Sequence, residues 1–211
     1  MASRTSILWR YTDLPALFHM LRERKITLLS PGSWDDDNDK HYMEQYRKQM
    51  RLSSVLALCF TRAPETYHHW HVFAGGPSGV RVGLHEDKLR TAFQSYSTPE
   101  TVRFQNVKYA RIRDVGENRP KRSDLPFLKR YPFRDEKEFR IIFKSKQKPL
   151  QYLRIEISLD CIEKITLSPW LAEPLTESVK RSLWAVPGCR DLQIVRSTLI
   201  SNEEWKSYAE N

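Results

Sequence analysis

The chain has 211 residues, 40% of them hydrophobic and 29% charged, which fits one globular domain able to bury a core. No apolar run approaches the roughly 20 residues that span a bilayer, and the opening residues 1–6 lack the apolar centre of a signal peptide, so a cytoplasmic protein without a membrane segment is expected. The formal charge is +9; residues 103–148 hold 15 Lys and Arg against 6 Asp and Glu, a surplus equal to the whole net charge, which favours a polyanionic partner such as DNA or RNA.

In chain order, Ile7 to Tyr11 reads as a strand, and Thr12 or Asp13 caps a helix with Pro15 in its first turn and Leu14, Leu17, Phe18 and Leu21 at helical spacing. Ile26 to Leu29 is a second strand, closed by Pro31-Gly32 before an acidic loop from Trp34 to Asp39. A helix is expected from about Lys40 to Leu52, then a central strand from Ser54 to Phe60. Val80, Val82 and Leu84 alternate as a half-buried strand, followed by a helix from Glu86 to Phe93.

Val102 to Tyr109 is strand-like but changes phase once, which places a bulge or turn near Asn106. A mobile polar loop is expected near 113–126, where Gly116 and Pro120 fall. Strands at Phe139–Phe143, Leu153–Ile157 and Ile162–Leu167 lead to a helix from Pro174 to Trp184 with Leu175, Val179 and Leu183 as its stripe. Leu192–Val195 is a last strand, and Asn202 caps a closing helix. Strands outnumber helices without strict alternation, which gives an α+β fold: a mixed, largely antiparallel central sheet, single or as two packed sheets, with flanking helices in one domain over 1–211.

The charged stretch at Glu136, Glu138 and Arg140 is the first candidate site. Side chains alternate along a strand, so Phe139, Ile141 and Phe143 share one face and Glu136, Glu138, Arg140 and Ile142 the other. Carboxylates and a guanidinium on a half-buried face must pair with each other or with a ligand. Arg10, between Trp9 and Tyr11, is suited to a phosphate or a base, and equally to an edge-strand position beside core aromatics.

Trp70, before Gly75-Gly76, offers an aromatic wall near a tight turn, or a core ring. His68, His69 and His71 point in different directions along the chain, and Asp35, Asp37 and Asp39 lack the glycine and final Glu of a calcium loop, so no metal site is assigned. Three widely spaced cysteines indicate neither a disulfide framework nor zinc.

Leu8-Trp9-Arg10-Tyr11-Thr12, Leu29-Ser30-Pro31 with Trp34-Asp35-Asp36, Leu58 to Thr61, Trp70 to Ala74 and Glu136-Lys137-Glu138-Phe139-Arg140 follow an order that resembles the bacterial domain-of-unknown-function family numbered twenty-nine seventy-one. The sequence departs from it in the acidic loop, reading Asp36-Asp37-Asn38 where that family has Asn-Asp-Pro. More remotely, the opening strand and the late E-x-E resemble the ADP-ribosyltransferase superfamily. That resemblance implies an enzyme using NAD: Arg10, Tyr11, Thr12, Trp70 and Arg140 as contacts to the dinucleotide, Glu138 as the catalytic carboxylate, and Glu136 orienting or deprotonating the acceptor. Such proteins include toxins and phage-defence effectors. The other readings are a non-catalytic nucleic-acid-binding module through 103–148, and a metal-dependent nuclease using Asp35 to Asp39 with Glu138. Oligomeric state and acceptor stay open.

Overall fold

A computed structural model describes residues 6–94, 101–147 and 149–209; Lys148, at the end of the basic segment, lies outside the described residues, as do residues 1–5. The strands, in chain order, are β1 (Ile7–Asp13), β2 (Lys25–Leu29), β3 (Ser54–Thr61), β4 (Gly79–His85), β5 (Val102–Asn106), β6 (Lys108–Ala110), β7 (Leu128–Arg130), β8 (Glu138–Ser145), β9 (Tyr152–Glu156), β10 (Ile162–Leu167) and β11 (Ile194–Arg196). The helices are α1 (Leu14–Glu23), α2 (Asp37–Gln49), α3 (Tyr67–Phe73), α4 (Glu86–Gln94), α5 (Ile112–Glu117), α6 (Glu173–Trp184) and α7 (Glu203–Ser207). The fold is α+β, with mostly antiparallel strand pairs.

Two compact units are present, each assembled from separate stretches of chain: one from Met1–Lys25, Pro64–Leu89 and Ile157–Asn211, the other from Ile26–Ala63 and Arg90–Glu156. In the first unit the strand order is β11-β10-β4-β1, antiparallel except for the β10/β11 pair. Asp13 caps α1 by accepting from the Ala16 amide at 2.8 Å, as its position before Pro15 suggests. Gly83 stands opposite Trp9 in the β1/β4 register; a Cβ there would lie 2.7 Å from the Trp9 ring, so only glycine lets the indole lie flat across the strand. In α6 Leu183 is buried and Val179 half-buried, as the expected stripe requires, while Leu175 is exposed and Thr176 takes the inner position of the first turn.

In the second unit β3 and β8 pair antiparallel along their full length, from Ser54 opposite Ser145 to Thr61 opposite Glu138, and β5 adds to the other side of β8. The phase change near Asn106 is a turn between sheets: β5 ends there, the Val107 amide donates to the Glu138 carbonyl at 2.9 Å, and β6 pairs parallel with β7 in a separate two-stranded ladder. Met43, Tyr46, Leu52, Val55, Leu125, Phe127 and Ile142 form the core beneath this sheet. Residues 113–126, expected as a loop, instead carry most of α5 and a 3₁₀ segment, Arg122–Phe127, because Leu125 and Phe127 are buried and pin the chain. α2 begins three residues earlier than expected, at Asp37, since Asp36 caps it by accepting from the amides of Asn38 and Asp39.

Candidate functional site

β8 starts at Glu138. Glu136 belongs to the preceding 3₁₀ turn, Tyr131–Glu136, and Lys137 between them has a left-handed backbone at φ 43°, so the expected continuous strand face from Glu136 to Ile142 is broken by a turn. Glu136 nevertheless reaches the same charged cluster as Glu138, through Lys129. Cross-strand neighbours hold the turn: the Arg62 amide donates to the Lys137 carbonyl at 3.0 Å and the Thr61 hydroxyl to the Glu136 carbonyl at 2.5 Å.

Arg140 is wholly buried, and its donors are used inside the protein. Nε donates to Glu138 Oε1 (2.7 Å) and Nη2 to Glu138 Oε2 (2.8 Å); Nη1 donates to Asp39 Oδ1 and to the Pro126 carbonyl (both 2.9 Å), and Nη2 also to Asp39 Oδ2. These bonds account for all five N–H groups of a guanidinium. A dinucleotide therefore has no donor to take from Arg140, which organises the cluster and does not face a cofactor.

Lys129 completes it. Its ammonium lies 2.7 Å from Glu136 Oε2, 3.6 Å from Glu138 Oε2 and 3.8 Å from Asp39 Oδ2. Tyr109, paired with Lys129 in the β6/β7 ladder, accepts the Glu138 amide on its hydroxyl at 2.8 Å, so one rung of the small sheet sends two side chains to Glu138. Three carboxylates thus share two cations in a buried space. Burial pushes the Glu138 carboxyl up, but the charge and hydrogen bonds of Arg140, with Lys129, outweigh it and hold Glu138 below the ordinary carboxylate value. At Asp39 and Glu136 burial wins over Arg140 and Lys129 respectively, and both are raised. The cluster therefore keeps Glu138 anionic and concentrates its affinity for protons on Asp39 and Glu136.

Lys129 and Tyr109 are absent from the sequence candidates, and Asp39 figures there only as a metal ligand. One signal was available: on α2 the buried positions are Asp39, Met43 and Tyr46, so an aspartate occupies the i position of an i, i+4, i+7 inward stripe, which calls for a buried cation.

In the first unit, alternation along β1 sends Arg10 and Thr12 to one face of the sheet and Trp9 and Tyr11 to the other. Tyr11 meets Trp70 edge to face, with ring centroids 5.2 Å apart, and Trp70 has no exposed surface; its Nε1 donates to Glu65 Oε1 at 2.7 Å, and the Ser197 hydroxyl to the same oxygen at 2.5 Å. Trp70 is thus a core ring with a satisfied indole N–H and offers no wall to a ligand. Tyr11, buried beside it, is on the face opposite Arg10. Burial pushes its hydroxyl up to about 12, against the nearby Arg81 charge. Arg81 lies over the Trp9 ring at 3.5 Å. Among the described residues no group of three or more His, Cys, Asp and Glu could hold a metal ion, and Asp39 faces Arg140.

No family model matches the chain, so the likeness to family twenty-nine seventy-one gains no support, and no curated protein matches it. Among solved structures it is similar to DarT of Thermus sp. 2.9 in complex with NAD+, at 12% identity and a TM-score of 0.48, over 93% of this chain and 98% of that one. The same protein with ADP-ribosylated ssDNA gives 11% and 0.48, over 92% and 95%; with carba-NAD+ it gives 10% and 0.47, over 92% and 97%.

Proposed function

We propose that the chain is an ADP-ribosyltransferase-like enzyme that cleaves the nicotinamide–ribose bond of NAD, with Glu138 as its catalytic carboxylate. The observation that supports this reading is the state of Glu138: Arg140 on both oxygens and Lys129 nearby keep it ionised and in one orientation. Departure of nicotinamide leaves positive charge on the ribose, and a fixed anion that needs no reorganisation is the group that stabilises it. Asp39, Lys129 and Tyr109 are positioning residues for that carboxylate, and Glu136, with its raised affinity for protons, is suited to take the proton of an acceptor.

The sequence resemblance further assigns Arg10 and Thr12 as dinucleotide contacts. Tyr11 and Trp70 take no part, being buried against each other, and Arg140 takes none because its donors are spent.

A second reading, nucleic-acid binding without catalysis, is favoured by one observation: Lys108, Arg111, Arg113, Arg119, Lys121, Arg122, Arg130, Arg134, Lys137 and Lys146 are all exposed in the second unit, against three exposed acids, Asp114, Glu117 and Asp135, in the same stretch. Labelled NAD incubated with purified protein and with DNA, RNA or protein acceptors separates the two. The enzyme reading expects transfer or nicotinamide release that falls at least about a hundredfold in Glu138→Gln, the scale on which loss of one preorganised electrostatic group acts. Turnover that is absent, or indifferent to that change, leaves the binding module.

A further inference from the structure

The second unit holds a cavity of about 200 Å³ between the start of α2, α5 and β7. Its charged lining is Asp36, Asp39, Arg111, Lys129 and Arg130. Three of these are committed within the protein: Asp39 to Arg140, Lys129 to Glu136, and Asp36 to the start of α2, where its Oδ1 accepts from the amides of Asn38 and Asp39 and its Oδ2 is sealed from solvent. Arg111 and Arg130 remain. Both are exposed, and neither guanidinium forms an ion pair among the described residues.

The two arginines come together because Arg130 stands opposite Ala110 in the β6/β7 ladder and Arg111 follows Ala110 directly. A third adds to the positive field: Arg111 and Arg134 both lie over the Tyr131 ring, their guanidinium carbons 4.9 and 4.6 Å from its centroid. Among the described residues the acid paired with this group is Asp135, 3.8 Å from Arg134 Nε. Like charges gathered at one ring repel each other until an anion joins them. The apolar part of the lining is Tyr42, Ile112, Val115 and Leu128, and Ile112 is 73% exposed. A cavity of about 150 Å³ takes one benzene ring, so this one has room for a single six-membered ring and not for a whole cofactor.

We propose that this cavity binds a small aryl phosphate monoester: the ring lies against Tyr42, Val115 and Leu128, and the phosphate pairs with Arg111 and Arg130 at the mouth. Charge sets the class, since two unpaired guanidinium groups match a dianion and each offers a fork to the phosphate oxygens. Asp36 keeps its charge nearby, and the two arginines together outweigh it. Size sets the linkage: both arginines line the same small cavity as the apolar side chains, so the phosphate sits directly on the ring and is not held away from it by a sugar. Inorganic phosphate leaves the apolar wall wet, and an uncharged ring leaves the arginines unpaired. Recognition here does not depend on Glu138 turning over NAD.

The test is equilibrium binding of phenyl phosphate, inorganic phosphate, phenol and methyl phenyl phosphate to the full chain without NAD, followed by chemical-shift titration. Phenyl phosphate is expected to bind at least about tenfold more tightly than inorganic phosphate, from burial of the ring, and at least about tenfold more tightly than phenol, from the charged hydrogen bonds. Methyl phenyl phosphate, a diester with one charge, binds more weakly than the monoester. Arg111→Gln with Arg130→Gln, both at exposed positions, brings phenyl phosphate down to the affinity of phenol. Val115→Trp fills the cavity from a half-buried position on α5 and brings phenyl phosphate down to the affinity of inorganic phosphate; it decides the matter should the arginine pair fail to fold. Phenyl phosphate that binds no better than inorganic phosphate or than phenol overturns the proposal, as does an unchanged affinity in either folded variant. A diester bound as tightly as the monoester also overturns it, and makes the site one for a nucleic-acid backbone.

Discussion

Arg140 and Asp39 are paired through two guanidinium nitrogens although 101 residues separate them in the chain, and neither has more than a trace of exposed surface. The same guanidinium closes on both oxygens of Glu138, its neighbour on β8, so one cation fixes a carboxylate from α2 and one from the sheet. Removing either side of such a pair leaves an uncompensated buried charge.

Arg140→Met, which fills the space without the charge, is therefore expected to cost about 3–5 kcal/mol by stranding Asp39 and Glu138. Urea unfolding measures it. The double change Arg140→Met with Asp39→Leu is expected to recover part of the loss, because one stranded charge goes with its partner. A double variant no more stable than the single would contradict the pairing.

The raised carboxyl of Glu136 gives a pH dependence with a definite sign. A group that holds its proton more tightly when folded favours the folded state most below the ordinary carboxylate range, near pH 4, and that contribution is lost as pH rises through the folded pKa. Glu138 acts in the opposite sense: its lowered value stabilises the fold above the ordinary range, and the effect disappears on acidification through the folded pKa. Glu136→Gln deletes the first effect only. The stability of the wild type minus that of the variant should then decrease from pH 4 upwards in denaturant titrations, and an increase would reverse the assignment.

Gly83 is required by the Trp9 ring. Gly83→Ala puts a methyl 2.7 Å from the indole, closer than packed carbons approach, and should cost about 1–3 kcal/mol as an overpacked site. Trp9→Leu in the same chain should relieve the clash, so the two changes combine less than additively in thermal unfolding.

Lys121 and Arg122 are exposed and lie outside the buried charged cluster. If the basic surface holds single-stranded nucleic acid, replacing both by alanine should weaken binding of all sequences alike. It should also reduce the slope of log K against log salt by about 0.7 for each phosphate no longer neutralised. A sequence-dependent loss, or an unchanged slope, would mean that these cations do not touch the backbone.

The linear order of elements was legible in the residues themselves. Period-two and helical spacing located β1, β3, β4, β8, β10, α1 and α6 to within a few residues, and Asp13 and Asn202 marked helix starts whose caps are present at 2.8 Å each. Polar composition misled at 113–126, because Leu125 and Phe127 are two apolar residues in a polar stretch and only their burial shows that they anchor it.

At the charged strand, sequence alone determined that Glu138 and Arg140 share a face and that two carboxylates and one guanidinium require further partners, since both statements follow from strand geometry and charge. Which partners, it could not say. Asp39 and Lys129 arrive from an α-helix and a separate small ladder, and a pair 101 residues apart leaves no local period to detect. Tertiary structure alone decided that Arg140 is closed off, that Trp70 is core, and that Tyr11 is packed against it. Each of these depends on what packs against a side chain, and packing is a property of the folded whole.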